Sequence, residues 1–149
     1  MTIEIHVDEP FQSAVSSDQL ETAIAAALAF ENVQGDVTLI VGDDDVIADL
    51  NLRFLGNPGP TDVLSFPAQA DDGAFVQAPN TNPYLGDIVI AYPYTAAQAA
   101  QHDRNIVDEL NLLAVHGTLH LLGYDHAEPE GKAVMWARQD AILAGMQAE

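Results

Sequence analysis

Three histidines near the C-terminus, His116, His120 and His126, are the residues of this chain best suited to chemistry. They lie in the stretch His116-Gly117-Thr118-Leu119-His120-Leu121-Leu122-Gly123-Tyr124-Asp125-His126, which closes an apolar run from Ile106 to Leu122. That run is long enough for a helix and too long for an ordinary strand. On a helix, positions i and i+4 share a face, so His116 and His120 project side by side. Two neutral imidazoles one turn apart can hold one metal ion. Gly123 offers the left-handed conformation that ends a helix, and the return through Tyr124 and Asp125 can bring His126 alongside. Three protein ligands with an open fourth position hold catalytic zinc, whereas structural zinc is closed by four. Asp125 is expected to orient a ligand ring or cap the turn rather than bind the ion.

The spacing His-x-x-x-His-x-x-Gly-x-x-His is similar to that of the metzincin metalloproteases, which place a Glu directly after the first His as general base. Gly117 stands there in this chain. Peptide hydrolysis thereby loses its proton acceptor, while a cation at the site can still act as a Lewis acid or activate water. The expected chemistry is hydrolytic but not proteolytic.

The same eleven residues, with Pro60-Thr61-Asp62-Val63-Leu64-Ser65-Phe66-Pro67 and Leu85-Gly86-Asp87-Ile88-Val89-Ile90, resemble the YbeY family of bacterial metal-dependent single-strand endoribonucleases. The motifs follow the family's order, and the match covers nearly the whole chain. The resemblance implies zinc-dependent cleavage of single-stranded RNA. It also implies a role in rRNA maturation, at the 3′ end of the small-subunit rRNA, and in ribosome quality control, with the ribosome or its proteins as partners. The segment holding Thr61, Asp62 and Ser65 would border the substrate cleft. From the residues alone, Asp62 after a Pro-Thr turn could equally bond local backbone amides.

One departure stands out. The family usually carries an Arg just after an aromatic residue on the helix before this motif, thought to contact phosphate. Ungapped alignment puts Leu55 there, and Leu cannot donate to a phosphate oxygen. Arg53, two residues earlier, points about 200° away on a 3.6-residue helix. Either Arg53 reaches around, the metal alone supplies the positive charge, or activity is diminished. Two other readings stay open: a zinc hydrolase of another substrate class, and a non-catalytic ribosome-assembly factor with a structural zinc.

Composition narrows the field. The 149 residues suit one domain that buries its own core. No run of 18 apolar residues argues for a membrane span, and Met1 to His6 carries no secretory pattern, so a cytoplasmic protein is expected. With no cysteine, ligation falls to His and carboxylate. Four basic residues against 23 acidic ones give a net charge of −19. Nucleic-acid binders usually neutralise phosphates with Lys and Arg, so an RNA footprint here must be small, metal-centred or presented by a partner.

The elements that must position these residues are an α+β set: a single domain with a four-stranded mixed sheet and about five helices, the metal site at the end of a buried central helix. Strands are expected at Thr2–Val7, Asp36–Val41, Val63–Phe66 and Leu85–Ala91, the last two antiparallel because a loop, Ala68 to Tyr84, joins them without a helix. Helices are expected from Ser17 or Asp18 to Phe30, from Val46 to about Leu55, from Pro93 to about His102, and from Asn105, paired with Asp108, through the metal motif. The last runs from Glu128-Pro129-Glu130 to about Ala144, with Val134, Ala137, Ala141 and Ile142 in the core and Met135 and Trp136 as packing residues. Asp43-Asp44-Asp45 suits the positive N-terminal end of a helix better than a metal cluster. Glu109 is assigned to its helix N-terminus and His102 to the surface.

Overall fold

Strand-forming residues in alternation and one β-branched run build the sheet. Ile3–Val7 (β1) buries every second residue partially, whereas Asp36–Gly42 (β2), with Val37, Leu39 and Val41 fully inside, lies deeper. Val63–Pro67 (β3) and Tyr84–Ala91 (β4) complete a sheet of order β1-β2-β4-β3. β1 runs parallel to β2 and β2 to β4, while β3 pairs antiparallel with β4, so the sheet is mixed as expected. This computed structural model describes residues 2–68 and 83–147, and the loop expected over Ala68–Tyr84 falls almost wholly outside them.

Five α-helices are present among the described residues: Ser17–Phe30 (α1), Asp44–Leu50 (α2), Tyr92–Gln101 (α3), Ile106–Leu121 (α4) and Pro129–Gln147 (α5). α1 starts where Ser16, not Ser17 or Asp18, accepts a hydrogen bond from the Gln19 amide. The Asp run behaves as a cap. Asp43 accepts from the Asp44 amide, and Asp44 accepts from the Tyr94 amide in the first turn of α3. α2 therefore begins two residues before Val46, and its expected continuation to Leu55 is a π-helical turn, Asn51–Leu55, closed by Gly56 at φ 72°.

α4 is the central element. Asn105 caps it by accepting from the Val107 amide, and from Glu109 to Leu121 no residue is exposed. It packs on α1, α3 and α5 and on strands β3 and β4. Leu113, Val115 and Leu119 are buried within one core shared with Leu39, Ile88 and Ile90. Each such side chain contributes about 1.5–3 kcal/mol of transfer free energy. A helix clamped on every side cannot rotate, which fixes the direction in which its histidines point.

α5 departs from expectation by one residue in phase. Met135, Gln139 and Ile142 are buried, whereas Val134, Ala137 and Ala141 face solvent. A polar residue, Gln139, occupies the inward stripe, and its partner explains why.

Candidate metal centre

His116 and His120 stand one turn apart on α4, their Nε2 atoms 3.1 Å from each other. The helix then ends as its sequence dictates. Gly123, at φ 103°, donates its amide to the His120 carbonyl, and the Tyr124 amide reaches the Leu119 carbonyl. This double bond across a left-handed glycine is the Schellman arrangement. The turn swings His126 over the helix face. One nitrogen from each of the three rings lies within 4.8 Å of the others, with ring centroids 4.6 to 5.5 Å apart. Donors on one tetrahedral zinc, each about 2.0–2.1 Å from the ion, sit about 3.4 Å apart. The α4 pair already stands at that separation.

The outer nitrogens show that this donor set fits a cation. His120 Nδ1 lies 2.9 Å from the Tyr124 carbonyl oxygen, which can only accept, so the hydrogen is on Nδ1. His116 Nδ1 lies 2.9 Å from Gln139 Oε1 and donates in the same sense. Both Nε2 atoms therefore present lone pairs to each other at 3.1 Å, a contact that a cation between them satisfies. Burial holds both imidazoles below the ordinary histidine pKa, and the other imidazoles of the cluster push in the same direction. Neutral rings are what ligation requires. Among the described residues no Asp, Glu or fourth His joins the cluster.

Gly117, where a peptidase would carry its base, faces the sheet. A Cβ there would meet Ile88 Cγ2 at 2.8 Å and Ser65 Oγ at 3.1 Å. Two side chains claim the space, so any larger residue at this position would have to displace Ile88.

The remaining sequence-selected residues divide. Thr61, Asp62 and Ser65 line a groove of about 610 Å³ together with the three histidines, Leu55 and Trp136. Ser65 donates to the Gly117 carbonyl at 3.0 Å, tying β3 to the metal helix. Asp62 does both things open to it: it borders the groove, and it accepts from the Val63 amide at 2.7 Å and from Gln98 Nε2 at 3.2 Å. Asp125 caps the turn, accepting from the His126 amide at 2.7 Å. Arg53 turns to Asp49, 3.4 Å away on the exposed side of its helix, while Leu55 holds the groove position. Glu109 is buried in the first turn of α4, where it takes hydrogen bonds from Gln98 and Arg104. His102 is exposed and borders a second groove beside His116.

Gln139, which orients His116, escaped the sequence reading; Trp136 packs against the core as expected, and its ring also stands nearly perpendicular to those of His116 and His126, with centroids 5.5 and 5.6 Å apart. Trp136 and Gln139, three residues apart on α5, share the face that meets the histidines, and that spacing was the available signal. Size alone would mislead. A larger hollow of about 670 Å³ between α1 and the start of α4 contains none of the three histidines.

A mixed α+β sheet supporting a buried two-histidine helix, with a third histidine on the following turn, defines a protein built to hold one metal ion beside an open groove. The chain belongs to the family described as Endoribonuclease YbeY, whose model matches residues 3–147. A relative of that name from Roseiflexus sp. (strain RS-1) is 42% identical over 148 residues, spanning 97% of this chain and 92% of its own. Another, from Chloroflexus aurantiacus, is 43% identical over 145 residues, spanning 95% and 93%. A Thermotoga maritima protein solved in solution shares the fold with a TM-score of 0.61 at 27% identity, over 95% of this chain and 86% of its own. Among the described residues no helix is long and apolar enough to cross a membrane.

Proposed function

We propose that this chain is a zinc-dependent endoribonuclease that cleaves single-stranded RNA, working in the cytoplasm on rRNA, at the 3′ end of the small-subunit rRNA and in ribosome quality control. The observation that carries the reading is the convergence of His116, His120 and His126 on one point at the floor of an open groove, in a chain whose relatives are named endoribonucleases. Zinc is favoured because three neutral imidazoles suit it. A bound divalent cation supplies Lewis acidity to a phosphoryl oxygen and positive charge where negative charge develops.

The chain's own residues do the rest. Gln139 and the Tyr124 carbonyl fix the two helix histidines in the ligating tautomer. Ser65 and Gly117 lock the groove wall to the metal helix. Thr61 and Asp62, just before β3, line the same groove, with Asp62 held by Gln98 and the Val63 amide. With Leu55 at the groove and Arg53 paired to Asp49, positive charge on the scissile phosphate falls to the metal. Free-solution affinity is then weak, and a ribosomal partner presents the strand. Gly117, packed against Ile88, leaves the position after His116 without the Glu that a peptidase uses as its base.

The test is RNA cleavage by the purified, zinc-loaded chain and by His116→Ala, with metal content measured on both. Cleavage lost in a folded variant supports catalysis. A parent that binds zinc, cleaves nothing, and unfolds when His116 is removed points to an assembly factor with structural zinc. A 2′,3′-cyclic phosphate on the product identifies the RNA 2′-hydroxyl as nucleophile, and a 3′-hydroxyl with a 5′-phosphate, which that route cannot produce, identifies water.

A further inference from the structure

The metal point is a junction. Two grooves meet there, of about 610 and 370 Å³, and Asp62, His116 and Trp136 line both. The second groove runs past His102 and Arg104 but also carries Glu109 and Asp140, so neither arm offers a crossing strand a net positive wall. Trp136, the single tryptophan of the chain, stands half-buried at the crossing. Lys132, its single lysine, sits one helical turn earlier with its ammonium 5.4 Å from the Trp136 ring centroid. The three arginines pair with Asp49, Glu109 and Glu31, and among the described residues Lys132 has no carboxylate partner.

From this placement the geometry points to Trp136 as a stacking platform for a nucleobase next to the scissile phosphate, with Lys132 moving from the indole face to the adjoining phosphate. The assignment rests on the RNA reading above and adds a subsite to it. An exposed ammonium over an indole is held more weakly than a base stacked on the same ring, so the exchange runs in the base's favour. It also answers the charge problem. A chain of net charge −19 gains its grip from one aromatic face, one displaceable lysine and one metal rather than from a basic surface. Stacking tolerates any base, so this subsite selects unpaired strands without selecting sequence. A duplex keeps its bases stacked on each other and offers none to the ring.

Because Trp136 is the sole indole, the full chain's own emission reports the contact. The zinc-loaded protein is titrated with a short 2′-O-methyl oligonucleotide, which lacks the free 2′-hydroxyl, and with an abasic strand of equal length. Saturable quenching by the base-bearing strand and none by the abasic one is the expected result. Equal responses to both, or no response at a concentration that inhibits cleavage, would overturn it. On cleavable RNA, Trp136→Ala should raise KM about tenfold with kcat within twofold and zinc content unchanged, and Trp136→Phe should recover most of the loss. An unchanged KM in both variants would also overturn it. Lys132→Gln should retain quenching while lowering the salt dependence of binding by about one ion. Quenching without any cleavage would sink the nuclease reading and leave this subsite standing.

Discussion

The two histidines on α4 and the one on the turn after it reach the same point by different means. His116 and His120 are half-buried, carried by a helix that packs on three other helices and the sheet, and each has its outer nitrogen bound to an oxygen. His126 is exposed, and only its backbone amide is held, by Asp125. The turn itself is anchored from a distance: the Tyr124 hydroxyl donates to Glu31 at the end of α1, and Arg138 of α5 closes the trio at 2.7 Å from Glu31. The difference teaches that the fold fixes two-thirds of the site before any ion arrives, while the last ligand is delivered by a capped glycine turn. Rotamer freedom removed in folding need not be removed again on binding.

That contrast can be broken most sharply at the ligands. His116→Ala or His120→Ala should abolish zinc retention and lower cleavage about 10³-fold or more, the rate equivalent of losing several kcal/mol of Lewis-acid stabilisation. His126→Ala should weaken zinc less, because the helix pair remains aligned. Equal losses at all three positions, read by metal titration, would erase the distinction. Next in size is Gln139→Leu, which leaves the His116 Nδ1–H without its acceptor and should reduce zinc affinity about 10–100-fold. Gln139→Glu, still an acceptor, should restore most of it, whereas a stability change with unaltered affinity would make Gln139 a packing residue.

The same pair predicts a pH response in the zinc-free chain. Burial depresses the folded-state pKa of His116 and His120, so below the ordinary value, about 6.5, the unfolded chain binds more protons than the folded one. Their contribution to stability is complete above that pH and is lost as pH falls towards the depressed folded values. Urea midpoints should therefore decline on acidification from neutrality, and the part due to these rings should vanish in His116→Ala/His120→Ala. The smallest effect belongs to the turn. Gly123→Ala meets nothing within 4 Å, so its whole penalty is the positive φ, about 1–2 kcal/mol and a few degrees in Tm. A larger loss would mean that the turn carries more of the fold than its contacts imply.

Much of this was legible in one dimension because it is local. The His-x-x-x-His spacing, the Gly123 stop, the Asn105 cap and the β-branched strands each rest on residues within a few positions of one another, and the structure reproduces them. The antiparallel β3–β4 pair was expected because the linking sequence carries no helical pattern, and the strands pair that way. What could not be read is contact across elements. Gln139 is buried because its oxygen meets His116, 23 residues away, so the apolar pattern of α5 breaks at that position and the expected core stripe slipped by one. At Gly117, too, nothing near it in sequence identifies Ile88 and Ser65 as the neighbours that fill the space beside it. The π-helical turn at Asn51–Leu55 likewise carries no local signature, since its residues suit an ordinary helix.

The account turns on three imidazoles sharing one ion with room for a reactant, and X-ray absorption at the zinc edge of the loaded chain reads that directly. Three imidazole nitrogens at about 2.0–2.1 Å plus one light, exchangeable donor is the coordination expected here. A fourth protein ligand closing the ion, or zinc held by fewer than three imidazoles, would contradict it.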